Sequence, residues 1–119
     1  MGAIDELLRE MGKRISMRRK QLSLTQEELA EKAGLTSQTI STAETGSKAL
    51  RPANIVKLCG ALEISADYLL FGKTSAMDYG IMSQKVSQLP PTLYRHLEDI
   101  INSFLAAFAA ENEDNKPNQ

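Results

Sequence analysis

"TQEELAEKAGLTSQTISTAETG", residues 25–46, is the stretch whose reading decides the fold. Thr25 with Glu28 three residues on forms a capping box, in which each side chain accepts from a backbone N–H that a helix start leaves free. Leu29, Ala30 and Ala33 then share one apolar face, and Gly34 stands where a left-handed residue closes a helix. Thr36 can cap a second helix, from Ser37 to about Glu44, with Gly46 at its end. Ala30, Gly34, Ile40 and Ala43 are separated by four, six and three residues. Two short helices joined by so tight a turn must cross steeply and closely. The crossing needs a small residue, Ala30; the turn needs one tolerant of positive φ, Gly34. Ile40 and Ala43, three apart, face inward together.

This spacing is that of a helix-turn-helix. With Ile40 on the buried side, an advance of about 100° per residue brings Gln38, Ser41, Thr42 and Thr45 to the opposite face, with Ser37 at the exposed N-terminal end. None of the residues 35–46 is Lys or Arg, although a surface helix ordinarily carries them. Small hydrogen-bonding side chains are matched to base edges in a major groove: Gln can bond N6 and N7 of adenine, and a Thr methyl can meet that of thymine. On these residues alone a merely solvated helix fits equally well.

Outward from this pair, helix reads almost everywhere and strand nowhere. Ile4, Leu7, Leu8, Met11, Ile15 and Leu22 repeat at helical steps. After the loop "SKALR", Pro52 suits a first helical turn, and Ile55, Val56, Leu58, Cys59 and Leu62 carry the helix that follows. Ser65 caps the short "ADYLLFG", stopped by Gly72. The chain expected is all-α, with a five-helix domain over 1–72, a polar linker at 73–78, a C-terminal helical extension over 79–111 and a disordered tail at 112–119. Within the extension, a weaker helix runs from about Tyr79 to Gln88, and "LPPT" opens a last one.

The segment "MGKRISMRRKQLSLTQEELAEKAGLTSQTISTAETGSKALRPANIVKLCGALEISADYLLFG", Met11 to Gly72, closely resembles the Cro-like, phage-repressor (XRE) type of helix-turn-helix domain. It matches in "RxxxSLTQEELAEKAGLT", in Ile40, in the "ETG" after it and in "SADYLLFG", about half of the chain. The resemblance implies five packed helices, the third lying in the major groove of double-stranded DNA. By position it implies that Ser37, Gln38 and Thr42 read bases, with Ser41 nearby, and that Gln26 binds phosphate at the start of the second helix. It implies that Thr45, Lys48 and Arg51 clamp the backbone, and that Arg19 pairs with Glu44 to brace the recognition helix. Lys13, Arg14 and Arg18 are read as solvated. The chain departs from some family members in a longer "SKALRP" loop and in lacking a second Gln beside Gln38, so its operator need not be theirs.

Charge agrees with this division. Between Arg9 and Arg51 nine Lys and Arg face five Asp and Glu, whereas from Ser75 onward there are three against six, so the basic character sits with the helix-turn-helix. The net charge of −1 argues against diffuse polyanion binding. One Cys and one His leave no disulfide and no structural zinc set, no nucleophile–base pair suggests an enzyme, and no cofactor is expected. No apolar run is long enough for a bilayer, so a cytoplasmic location without membrane contact is expected.

The last helix carries Leu93, Leu97, Ile100, Ile101, Phe104, Leu105 and Phe108 on one stripe. The stripe can pack back on the domain or pair with a second copy. A domain core complete by Gly72 favours the second, and with it a homodimeric repressor. A protein-interaction module, antitoxin or adaptor docking through this helix is the alternative.

Overall fold

The computed structural model describes residues 2–114, and every regular element among them is helical. The order is α1 Ala3–Gln21, α2 Gln26–Ala33, α3 Ser37–Thr45, α4 Pro52–Leu62, α5 Ala66–Phe71, α6 Ala76–Ser87 and α7 Pro91–Asp114. The chain divides into two compact units, with Ile81 ending the first and Met82 opening the second.

The first unit wraps α1–α5 around one core. Ile15 of α1, Leu29 of α2, Ile40 of α3, Leu58 and Leu62 of α4 and Leu69 of α5 are all fully buried. Each such side chain contributes roughly 1.5–3 kcal/mol relative to exposure, so these six side chains largely set the packing. The helix starts follow the capping logic: the hydroxyls of Thr25, Thr36 and Ser65 accept from the N–H of Glu28, Thr39 and Tyr68.

α1 is more than an amphipathic cover. Arg14 and Arg18, expected to be solvated, instead bind main-chain carbonyls at the ends of other helices. Arg14 Nη1 donates to Leu69 and Leu70 at 3.1 and 3.3 Å, and Arg18 Nε donates to Leu62 at 2.9 Å. The last carbonyls of a helix lack intrahelical donors and carry the negative end of its dipole, so a guanidinium is well placed there. Lys13 is exposed and bonds Glu10, one turn before it, at 3.2 Å.

α6 begins three residues before the expected Tyr79. Asp78 Oδ2 accepts from the N–H and hydroxyl of Ser75 at 2.8 and 3.1 Å, which supplies the start signal. The same carboxylate accepts from the N–H and hydroxyl of Ser65 at 2.9 and 2.6 Å, tying the α6 start to the α5 cap. Burial pushes the Asp78 carboxyl up, but the donors from Ser65 and Ser75 outweigh it and hold it below the usual carboxylate range.

In the second unit α7 continues to Asp114, past the expected end at 111. The remainder of the expected tail, 115–119, lies outside the described residues. None of the described α7 side chains is buried in the single chain. Phe104 is 73% exposed and Ile100 65%, and Leu93, Ile101, Leu105 and Phe108 are also exposed, with Leu97 half-buried.

Candidate nucleic-acid interface

The α2–α3 corner forms from the residues that its spacing singles out. Ala30, Ile40 and Ala43 are buried, and Gly34 turns the chain at φ +70°. A side chain at that φ would be strained, so the tight turn depends on glycine. α1 sets the other side of α3. A Cβ at Gly12 would lie 2.6 Å from the Ala43 carbonyl oxygen and would also meet the Glu44 carbonyl. The absence of a side chain there lets α1 and the C-terminal turn of α3 approach to main-chain contact.

An ion pair completes the clamp. Arg19 Nε and Nη2 donate to the two Glu44 oxygens at 2.7 and 3.1 Å, a fork-to-fork pair, while Nη1 donates to the Leu24 carbonyl at 2.8 Å. The two side chains are only 12% and 7% exposed. Burial pushes the Glu44 carboxyl up, yet hydrogen bonds from Arg19 and Gln26, the Arg19 charge and a bond from Ser16 together hold it below its ordinary range. Glu44 is therefore a carboxylate, and its charge is turned away from the outer face of α3.

That outer face exposes Ser37 and Gln38 and leaves Ser41 and Thr42 half-buried. Gln38, Thr39 and Thr42 line one side of a cleft of about 200 Å³. Lys48, Ala49, Leu50 and Arg51 from the following loop, with Asn54 of α4, line the other. Among the described residues no carboxylate borders the cleft, and Lys48 and Arg51 are both exposed. The arrangement offers hydrogen-bonding side chains on a helix with two cations beside them.

The remaining candidate residues divide. Thr45 is exposed, but its hydroxyl turns back, 3.1 Å from the Thr42 carbonyl and 3.0 Å from Ser47 Oγ. Gln26 lies apart from the cleft, and its side-chain amide donates to Glu44 at 3.2 Å. The sequence reading missed Asn54, whose signal was its place in the first turn after Pro52. It also missed Gly12, whose role shows only where α1 meets α3.

A helix-turn-helix family model matches residues 15–69. The P22 c2 repressor, solved in complex with a synthetic operator, is 38% identical over 53% of this chain and 96% of its own, with a TM-score of 0.51. The N-terminal unit is a helix-turn-helix domain of the Cro-like, phage-repressor type. The domain is also similar to the restriction-modification controller protein C.AhdI from Aeromonas hydrophila, at 34% identity over 52% of this chain and 94% of that one, TM-score 0.50. Among curated proteins, an uncharacterised helix-turn-helix transcriptional regulator of Bacillus subtilis strain 168, YqaE, is 32% identical over 74 residues, which are 62% of this chain and 64% of that one. The match thus spans somewhat under two thirds of that relative. Among the described residues no helix is long and apolar enough to cross a membrane.

Proposed function

We propose that the protein is a sequence-specific, DNA-binding regulator of transcription, a repressor working in the cytoplasm as a homodimer on double-stranded DNA. α3 enters the major groove, with Gln38 and Thr42 on base edges and Ser37 and Ser41 beside them. Lys48 and Arg51 hold the phosphate backbone, whereas the Thr45 hydroxyl, which the resemblance puts with them, is already held by the Thr42 carbonyl and Ser47. At Gln26 the side chain is engaged by Glu44, so phosphate contact there falls to the main-chain N–H at the helix start. Glu27 and Glu28 in the same turn weaken that contact. The observation that carries this reading is the shared cleft, in which three polar residues of α3 lie with two exposed cations and, among the described residues, no carboxylate. The comparison with an operator-bound repressor supports it.

The α7 stripe supports the homodimer. Its large side chains each expose on the order of 100 Å², about half of what such groups can bury. Six of them make roughly 600 Å², the upper end of what monomers leave open. Two copies face to face bury on the order of 1,200 Å², enough for a specific interface. From Leu97 to Phe108 the apolar spacing is the same from either end, so a second copy laid antiparallel meets matching positions, as a two-fold contact requires.

Selection of bound fragments from random DNA tests the reading. A palindrome with half-sites about 34–36 Å apart is expected. DNA retained at low salt with no enriched sequence would sink it. The exposed α7 face also suits an adaptor or antitoxin role. Pull-down with and without residues 93–108 separates the two: a protein partner captured by a chain that retains no DNA would favour the adaptor.

A further inference from the structure

α3 is rich in hydroxyls, and those of its three threonines are all engaged within the chain. Thr42 Oγ1 donates to the Thr39 carbonyl at 3.1 Å. Thr45 Oγ1 is held against the Thr42 carbonyl and Ser47 Oγ, and Thr39 Oγ1 lies 2.9 Å from Thr36 Oγ1. A threonine whose proton turns back onto its own helix shows an outside partner a methyl group and a lone pair, not a donor.

Guanine presents two acceptors, N7 and O6, to the major groove, and such threonines have nothing to offer them. A T·A pair suits them better, since thymine presents a methyl and adenine an N6 donor. Thr39 and Thr42 share their cleft with Ala49 and the half-buried Leu50, so methyl and aliphatic groups come from both sides. Gln38 borders the same cleft, and its amide can take N6 and N7 of an adenine. Lys48 and Arg51 give the cleft the charge that a polyanion requires.

We propose that the cleft between α3 and residues 46–51 seats the C5 methyl of a thymine against Thr42, Thr39 and Leu50, with Gln38 on a neighbouring adenine. Each half-site is then read at a step made of A·T pairs. The assignment rests on the protein being a DNA binder, and it names the base chemistry that binder takes.

The test uses the full chain and its selected duplex, in which each thymine is replaced singly by uracil, which lacks only the methyl. One uracil position per half-site should weaken binding about four-fold, the worth of one buried methyl. Thr42→Ser, which keeps the hydroxyl, should bind the thymine and uracil sites equally there. Thr42→Val, which keeps the methyl, should retain the preference. Uniform tolerance of uracil by a chain that still selects a sequence, a G·C pair at that step, or loss of the preference in Thr42→Val overturns the methyl seat and leaves the regulator standing. Failure to select any sequence overturns both.

Discussion

At the scale of single residues, side chains of similar polarity do different work according to where their hydrogen bonds go. Gln38 is exposed and, among the described residues, has no hydrogen-bond partner in its own chain, so its amide is available to a base. Gln26, twelve residues earlier, spends its amide on Glu44. On the regulator reading, Gln38→Ala should cost roughly 1–3 kcal/mol on the selected site and relax preference at one position. Lys48→Ala should weaken all sequences alike and lower the salt slope by about one. Titrations of both variants on selected and scrambled duplexes check this, and equal loss on both duplexes for Gln38→Ala would count against it.

Arg19 and Glu44 belong to stability. Arg19→Met leaves a nearly buried carboxylate without its counter-ion, which should cost roughly 3–5 kcal/mol in urea unfolding. Because Glu44 titrates below its unfolded value, its contribution is present above about pH 4.3 and is lost as pH falls through the lower folded value. Stability should therefore drop on acidification below about pH 4.5, and less steeply in Glu44→Gln. An identical slope in that variant would show that other carboxylates govern the acid limb.

At the scale of elements, α2 and α3 were legible because their signals are local. A capping threonine, a Glu three residues on and a terminal glycine all act within one or two turns. The roles of Arg14 and Arg18 in α1 were not legible, although the resemblance implies the pairing of Arg19 with Glu44. Arg14 and Arg18 serve carbonyls 44 to 56 residues away, and no spacing in the sequence announces such a partner. The start of α6 was missed for a related reason, since Asp78 caps through Ser75 while also reaching Ser65.

Gly12 stands inside a long helix, where glycine costs stability, yet it is where α1 and α3 touch. Gly12→Ala should destabilise by about 1–3 kcal/mol through overpacking and shift the base-reading face. Gly60→Ala, in α4, is the control. A Cβ there meets nothing within 4 Å, so the better helix former should stabilise by about 0.5–1 kcal/mol. Thermal melts of the pair compare the two. Equal behaviour would mean that α1 and α3 are free to separate.

At the scale of the whole molecule, the helix-turn-helix cleft and the α7 stripe are two surfaces open to partners. On the homodimer reading, Phe104→Glu should yield monomers in sedimentation equilibrium. Its affinity for a palindromic duplex should fall at least ten-fold, and its affinity for a single half-site should stay near that of the wild type. Dimers persisting in that variant would place the contact elsewhere. The stripe itself was legible in the sequence, because apolar side chains at helical steps are read directly. What covers it was not, because a partner's surface leaves no mark in this chain's own spacing.

The Asp78 bonds bear on where this protein can be cut. A piece stopped at Gly72 keeps α1–α5 but takes away the Asp78 carboxylate that accepts from the Ser65 amide and hydroxyl, at a cost of about 1–3 kcal/mol. A piece stopped at Ile81 retains both bonds and should melt several degrees higher. Residues 73–78, which look like a tether in the sequence, are on this account the clasp that fastens the repressor-type fold shut.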